Sequence, residues 1–144
     1  MEFFGEYEHT IDGKGRVVLP ALFRGEFSAG GFTALVGPYV GVFTPGEWNR
    51  YLRRLEDSGE FDRFDLQTLY SLASPFTPDG QHRIMVNQLL REQLHLDREV
   101  TIVGTRTHLA IYPRTGWADV RARAFEPADD GRSLIDKFAR LGFA

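Results

Sequence analysis

The chain has 144 residues, 42% of them hydrophobic and 26% charged, with a formal net charge of -3. That is the balance of a soluble globular protein long enough to bury a real core. It excludes a basic tail or a uniformly cationic nucleic-acid binder, though not a basic face, because net charge averages over the whole surface. Among the basic residues, 15 are Arg and 2 are Lys. Genomic base composition and a use for planar guanidinium contacts both fit that skew. No cysteine is present, which excludes disulfides, thiolate metal sites and cysteine nucleophiles and fits a reducing, cytoplasmic home. Met1 to Glu6 shows neither a basic n-region nor an apolar h-region, so no signal peptide is expected.

The first predicted strand, Glu6 to Ile11, runs into the turn Asp12-Gly13-Lys14-Gly15, whose glycines suit a tight hairpin, and a second strand follows over Arg16 to Leu19. Pro20 fits the first position of a short helix carrying Leu22 and Phe23. Residues 27–46 carry no charge, near the length of a membrane-spanning helix, but Gly and Pro divide them into two short apolar runs. Two strands, near Phe32 to Val36 and Val40 to Phe43, account for them better. Thr44-Pro45-Gly46-Glu47 then reads as a helix start with a capping box, followed by a stripe of Trp48, Tyr51, Leu52 and Leu55. A connecting helix is predicted on Leu66, Leu69, Tyr70 and Ala73, ending at a boundary in Ser74-Pro75-Phe76-Thr77-Pro78.

Beyond that boundary the first half recurs. Asp12 to Arg24 repeats as Asp79 to Arg91 at an offset of 67, which superposes Asp, Gly, Arg, Leu and Arg on themselves. The same offset lays Ala34-Leu35-Val36-Gly37 on Thr101-Ile102-Val103-Gly104. With small shifts in phase, Phe43-Thr44-Pro45 meets Ile111-Tyr112-Pro113, and Trp48 meets Trp117. Asn87 stands where the first half has Pro20 and suits a helix N-cap. Strands follow near Glu99 to Val103 and His108 to Tyr112, then a helix with Trp117, Val120 and Ala124. The expected organisation is a first half over 1–57, a connecting helix over 58–75, a second half over 76–125 and a tail over 126–144. In the tail, Leu134, Ile135, Phe138 and Leu141 have helical spacing.

Nothing in the sequence has the form of a catalytic or metal site. His9, His82, His95 and His108 lack metal-ligand spacing, and no phosphate loop, nucleophile elbow or zinc-protease motif occurs. No cofactor is expected. Asp79 and His82 flank a turn like an acid–base pair, but Gly15 stands where His82 does in the other half. The repeated element is Asp-x-x-x-Arg: Asp12 with Arg16, and Asp79 with Arg83. One reading is structural, with Asp capping the turn and Arg neutralising it. The other is that Asp orients an Arg that contacts phosphate, or guanine O6 and N7. Two copies at a fixed separation suit a repetitive ligand such as duplex DNA. From Gly80 to Phe125 seven Arg face four acidic residues, a segregation that permits a basic face.

The run from Phe3 to Arg24, with its second copy and Val103-Gly104, His108-Leu109 and Trp117, resembles the signature of the MraZ family of bacterial transcriptional regulators over about residues 1–125. The resemblance implies an α+β fold in which tandem AbrB-like swapped-hairpin units form one small β-barrel with peripheral helices. It implies a ring-shaped homo-oligomer, cytoplasmic and nucleoid-associated, without a membrane role. The ring would bind short G-rich direct repeats in its own promoter and repress the division and cell-wall operon. Arg16 and Arg83 would be the readers, oriented by Asp12 and Asp79, with Lys14 and Gly15 against the DNA backbone. His82 and Asn87 depart from the family pattern, and His82 in the second turn stands either to reach phosphate or to obstruct it. An AbrB-like antitoxin or a non-DNA assembly scaffold is the alternative.

Overall fold

The computed structural model describes residues 1–143, in two units, Met1–Pro113 and the segment from Arg114 onward. In the first unit β1 (Glu6–Thr10) and β2 (Arg16–Val18) are joined by the Asp12–Gly15 turn, and a 3-10 helix (Ala21–Phe27) follows. Next come β3 (Gly31–Val36), β4 (Tyr39–Phe43), α1 (Pro45–Asp57) and α2 (Arg63–Leu72). The second set comprises β5 (Ser74–Phe76), β6 (Arg83–Met85), α3 (Gln88–Gln93), β7 (Glu99–Gly104) and β8 (Leu109–Pro113). The second unit holds α4 (Arg114–Ala124) and α5 (Leu134–Arg140), the latter opened by a capping box between Ser133 and Asp136.

The two halves interleave. One antiparallel sheet runs β1-β7-β8-β4-β3-β5, and β2 pairs only with β6 in a separate ribbon. Exchanging the halves maps β1–β7 onto β5–β3 and β3–β4 onto β7–β8, while β2–β6 and β4–β8 map onto themselves. The sequence repeat is therefore a pseudo-two-fold axis of topology. Each outer strand therefore finds its partner in the other half.

Four expectations need correction. The strands do not close into a barrel. The sheet is open, with β1 at one edge and the three-residue β5 at the other, and β2 lies outside it, bridged at Val17 to Ile11, the residue after β1. Second, the strands on either side of Asp12–Gly15 do not continue as a hairpin ladder, because β1 is committed to β7 and β2 to β6. Third, Ser74-Pro75-Phe76 is a strand as well as a boundary. Pro75 lacks an N–H and is tolerated because β5 is an edge strand, paired to β3 alone. Fourth, Thr44 caps α1 by accepting from the Glu47 N–H, but the Glu47 carboxylate pairs with Arg50 rather than closing the box.

The core lies where the interleaved strands meet the ribbon. Val17 and Ile84 point inward from the ribbon, and Leu19 and Val86 follow them into a cluster with Phe3, Phe23, Phe27, Leu90, Ile102 and Ile111. α1 closes a second, smaller cluster, with Trp48 stacked on Phe32 at 5.0 Å and packed beside Phe43. Among the described residues no helix is long and apolar enough to cross a membrane.

Candidate nucleic-acid interface

The two Asp-x-x-x-Arg turns have the same geometry, bond for bond. Asp12 Oδ1 accepts from the backbone N–H groups of Lys14 and Arg16, both at 2.9 Å, and Oδ2 accepts from Arg16 Nε at 2.8 Å. Asp79 Oδ1 accepts from Gln81 at 2.9 Å and Arg83 at 3.0 Å, and its Oδ2 accepts from Arg83 Nε at 2.8 Å. Each turn is locked by two backbone bonds, Gly15 N–H to Asp12 O with Asp12 N–H to Arg16 O, and His82 N–H to Asp79 O with Asp79 N–H to Arg83 O. Donation from the turn amides stabilises the ionised carboxylates. The Arg16 N–H is the main cause holding Asp12 below the ordinary carboxylate range, and the Arg83 N–H is the main cause pushing Asp79 down to about 2.

This arrangement fixes each guanidinium through its Nε, with the Arg16 and Arg83 side chains partly buried, 28% and 24% exposed. Arg83 Nη1 lies 4.0 Å from Asp12 Oδ2, so the turns of the two halves sit side by side. The β2–β6 ribbon brings them together. Its register sets Arg16 opposite Met85, Val17 opposite Ile84 and Val18 opposite Arg83. Because side chains alternate along a strand, the buried Val17 and Ile84 face the core, and Arg16, Val18, Arg83 and Met85 share the outer face.

Two further arginines, assigned no role by the motif, brace this ribbon. Arg24 Nε donates to Leu19 O at 3.2 Å, and its repeat equivalent Arg91 donates to Val86 O at 3.0 Å. Leu19 N–H in turn donates to His82 O, and Val86 N–H to Gly15 O, each crossing from one half to the other. Their signal in the sequence was the identity of Arg24 and Arg91 at the repeat offset. Gly15 stands where the turn takes a positive φ, a conformation that favours glycine. Its φ is +84°, and a Cβ there would come within 2.8 Å of the Arg91 guanidinium. His82 adopts the same left-handed conformation at φ 60° with a full, exposed side chain, the most direct local difference between the turns. Lys14 is exposed at the tip of the first turn. Asn87 caps α3 by accepting from Leu89 N–H at 2.7 Å.

The other histidines lie elsewhere. His95 adopts φ 54° after α3. His108 sits beside a cleft of about 490 Å³ that Tyr39, Phe43 and Tyr51 also line. His108 Nε2 is 2.8 Å from the Tyr39 hydroxyl, and its ring stacks on Phe43 at 4.4 Å. Among the described residues no three His, Cys, Asp or Glu side chains gather as a metal site requires.

The family model described as "MraZ protein, putative antitoxin-like" matches residues 3–66 and again 69–136, one segment for each half of the repeat. The chain is 36% identical to the transcriptional regulator MraZ of Roseiflexus castenholzii, over 98% of this chain and 99% of that protein. It is 34% identical to the transcriptional regulator MraZ of Moorella thermoacetica, over 94% of this chain and 95% of that one. Identity to the transcriptional regulator MraZ of Acetivibrio thermocellus is 30%, over 97% and 99%. Two matched segments, near-complete coverage in both directions and the duplicated Asp–Arg turn together show that this chain belongs to the MraZ family.

Proposed function

We propose that this protein is a sequence-specific DNA-binding transcriptional regulator, not an enzyme, and that its β2–β6 ribbon enters the major groove. The observation that carries the reading is the pair of congruent turns side by side on one ribbon, each holding an arginine's Nε on its own aspartate. On this reading the terminal nitrogens of each guanidinium make the bidentate contact with guanine O6 and N7. A two-stranded ribbon, with strands about 4.8 Å apart, fits a groove about 12 Å wide. Arg16 and Arg83 read bases, Asp12 and Asp79 orient them, Lys14 contacts phosphate, and the Gly15 and His82 backbone shapes the two turns. The names of the relatives support the regulatory role.

Two arginines per chain make a weak binder. The resemblance to the family supplies the remedy: a ring of tandem AbrB-like subunits that engages several short G-rich repeats in its own promoter, multiplying weak contacts by avidity. On this reading the protein is a nucleoid-associated, cytoplasmic autorepressor of the division and cell-wall operon. The test is a mobility-shift titration on the upstream region of the chain's own gene against scrambled DNA. Wild type is expected to retain the specific duplex, whereas Arg16→Ala loses at least tenfold in affinity with the mass of the assembly unchanged, and Arg83→Ala behaves alike. Wild-type affinity in the Arg16→Ala variant would remove the assignment. The antitoxin-like wording of the family description favours one second reading, a protein-binding AbrB-like module, for which the same titration would give no preference for the upstream region.

A further inference from the structure

The outer face of the ribbon holds an unused pair of side chains. Each half contributes an arginine and, two residues on, an apolar residue: Arg16 with Val18, and Arg83 with Met85. The register places each apolar side chain directly across from the arginine of the other half, so the face is a two-by-two block with arginines on one diagonal and Val18 and Met85 on the other. Met85 is 49% exposed, although a thioether side chain gains by burial, and Val18 is half-buried beside it. Neither belongs to the core cluster.

We infer that Val18 and Met85 are specificity-determining residues that read the 5-methyl group of thymine next to the bases contacted by Arg16 and Arg83. The inference rests on the proposed DNA-binding role. Cross-strand neighbours lie about 5 Å apart, so a ribbon that sets an arginine against one base edge sets the opposite side chain against an adjacent base pair. In the major groove the one apolar feature on a base edge is the thymine methyl. A flexible, polarisable methionine suits it, and an arginine alone does not discriminate it. The ribbon therefore reads hydrogen-bond acceptors on one diagonal and methyl groups on the other.

The test uses two duplexes of the chain's own upstream region, one normal and one with deoxyuridine replacing thymine throughout, titrated with the full-length protein. Removing one buried methyl is worth about fourfold in affinity, so wild type is expected to prefer the thymine duplex by at least that factor. Met85→Gln and Val18→Ala each narrow the preference, and the double variant binds both duplexes alike, near the wild-type affinity for the uridine duplex. Equal wild-type binding to the two duplexes, with both preferred over scrambled DNA, would overturn the methyl readout and leave the DNA-binding role standing. No preference for either duplex over scrambled DNA would overturn both. A thymine preference undiminished in the double variant, or a changed assembly mass in Met85→Gln, would place these side chains away from the DNA and overturn the inference.

Discussion

Gly15 and His82 occupy equivalent places and show how one residue tunes a turn. Both have positive φ, which a side chain makes costly by about 1–2 kcal/mol. Gly15 meets the demand without strain and leaves room for the Arg91 guanidinium, whereas His82 bears it with a side chain in solvent. His82→Gly is expected to raise stability by about 1 kcal/mol, read as a higher denaturant midpoint. Gly15→Ala is expected to lower it by about 1–2 kcal/mol, from strain and the displacement of Arg91. Combining Gly15→Ala with Arg91→Ala should lose less than the two single changes together, because the steric conflict is then gone. At this scale the turns were legible in the sequence, since Asp-Gly and the repeat marked both. The bracing by Arg24 and Arg91 was not, because each donates to a carbonyl whose place depends on the other half of the chain.

Among elements, local signals served well where a segment satisfies itself. The Thr44-Pro45 start of α1, the Asn87 cap of α3 and the tail helix α5 follow from neighbours in sequence, and so did most strand limits. They failed at β5, where a proline-flanked run reads as a break and becomes a strand because β3 offers an edge. The packing of α1 against β3 and β4, with Glu47 near His108, also creates an acid-sensitive position that periodicity does not reveal. Burial lowers the His108 pKa to about 4 against an ordinary 6.5, with Glu47 opposing, and His9 is lowered too, by burial and by Arg24. The native state therefore binds fewer protons than the unfolded chain between these values. The stability this gives is full above pH 6.5 and falls as the pH drops toward 4. His108→Phe keeps a ring against Phe43 and is expected to remove the larger share of that slope, measured as urea midpoints from pH 7 to 4. An unchanged slope would assign it to other groups.

For the whole molecule, the charge is informative by place and not by sum. A chain of net charge -3 gathers Arg16, Arg83, Arg24 and Arg91 around one ribbon, with Asp12 and Asp79 consumed in orienting two of them. If several chains engage one promoter, the salt dependence counts them. Log affinity should fall linearly with log salt, by about 0.9 for each phosphate neutralised. Lys14→Ala should weaken specific and scrambled DNA alike and flatten that slope by about one for each engaged subunit. Titrations between about 50 and 200 mM salt read this directly. A slope untouched by Lys14→Ala would take this residue off the phosphate backbone.

The sequence by itself determined the duplication, the two Asp–Arg turns, most of the elements and the family. All of these are written in residues near one another or in a fixed offset between copies. Only the tertiary structure decided that the halves interleave rather than stand side by side, that the sheet stays open, and that the two turns meet on one ribbon. Strand pairing is a choice among distant partners of similar apolar character. The backbone hydrogen bonds that settle it, β1 to β7 and β2 to β6, join residues too far apart in sequence for any local pattern to record.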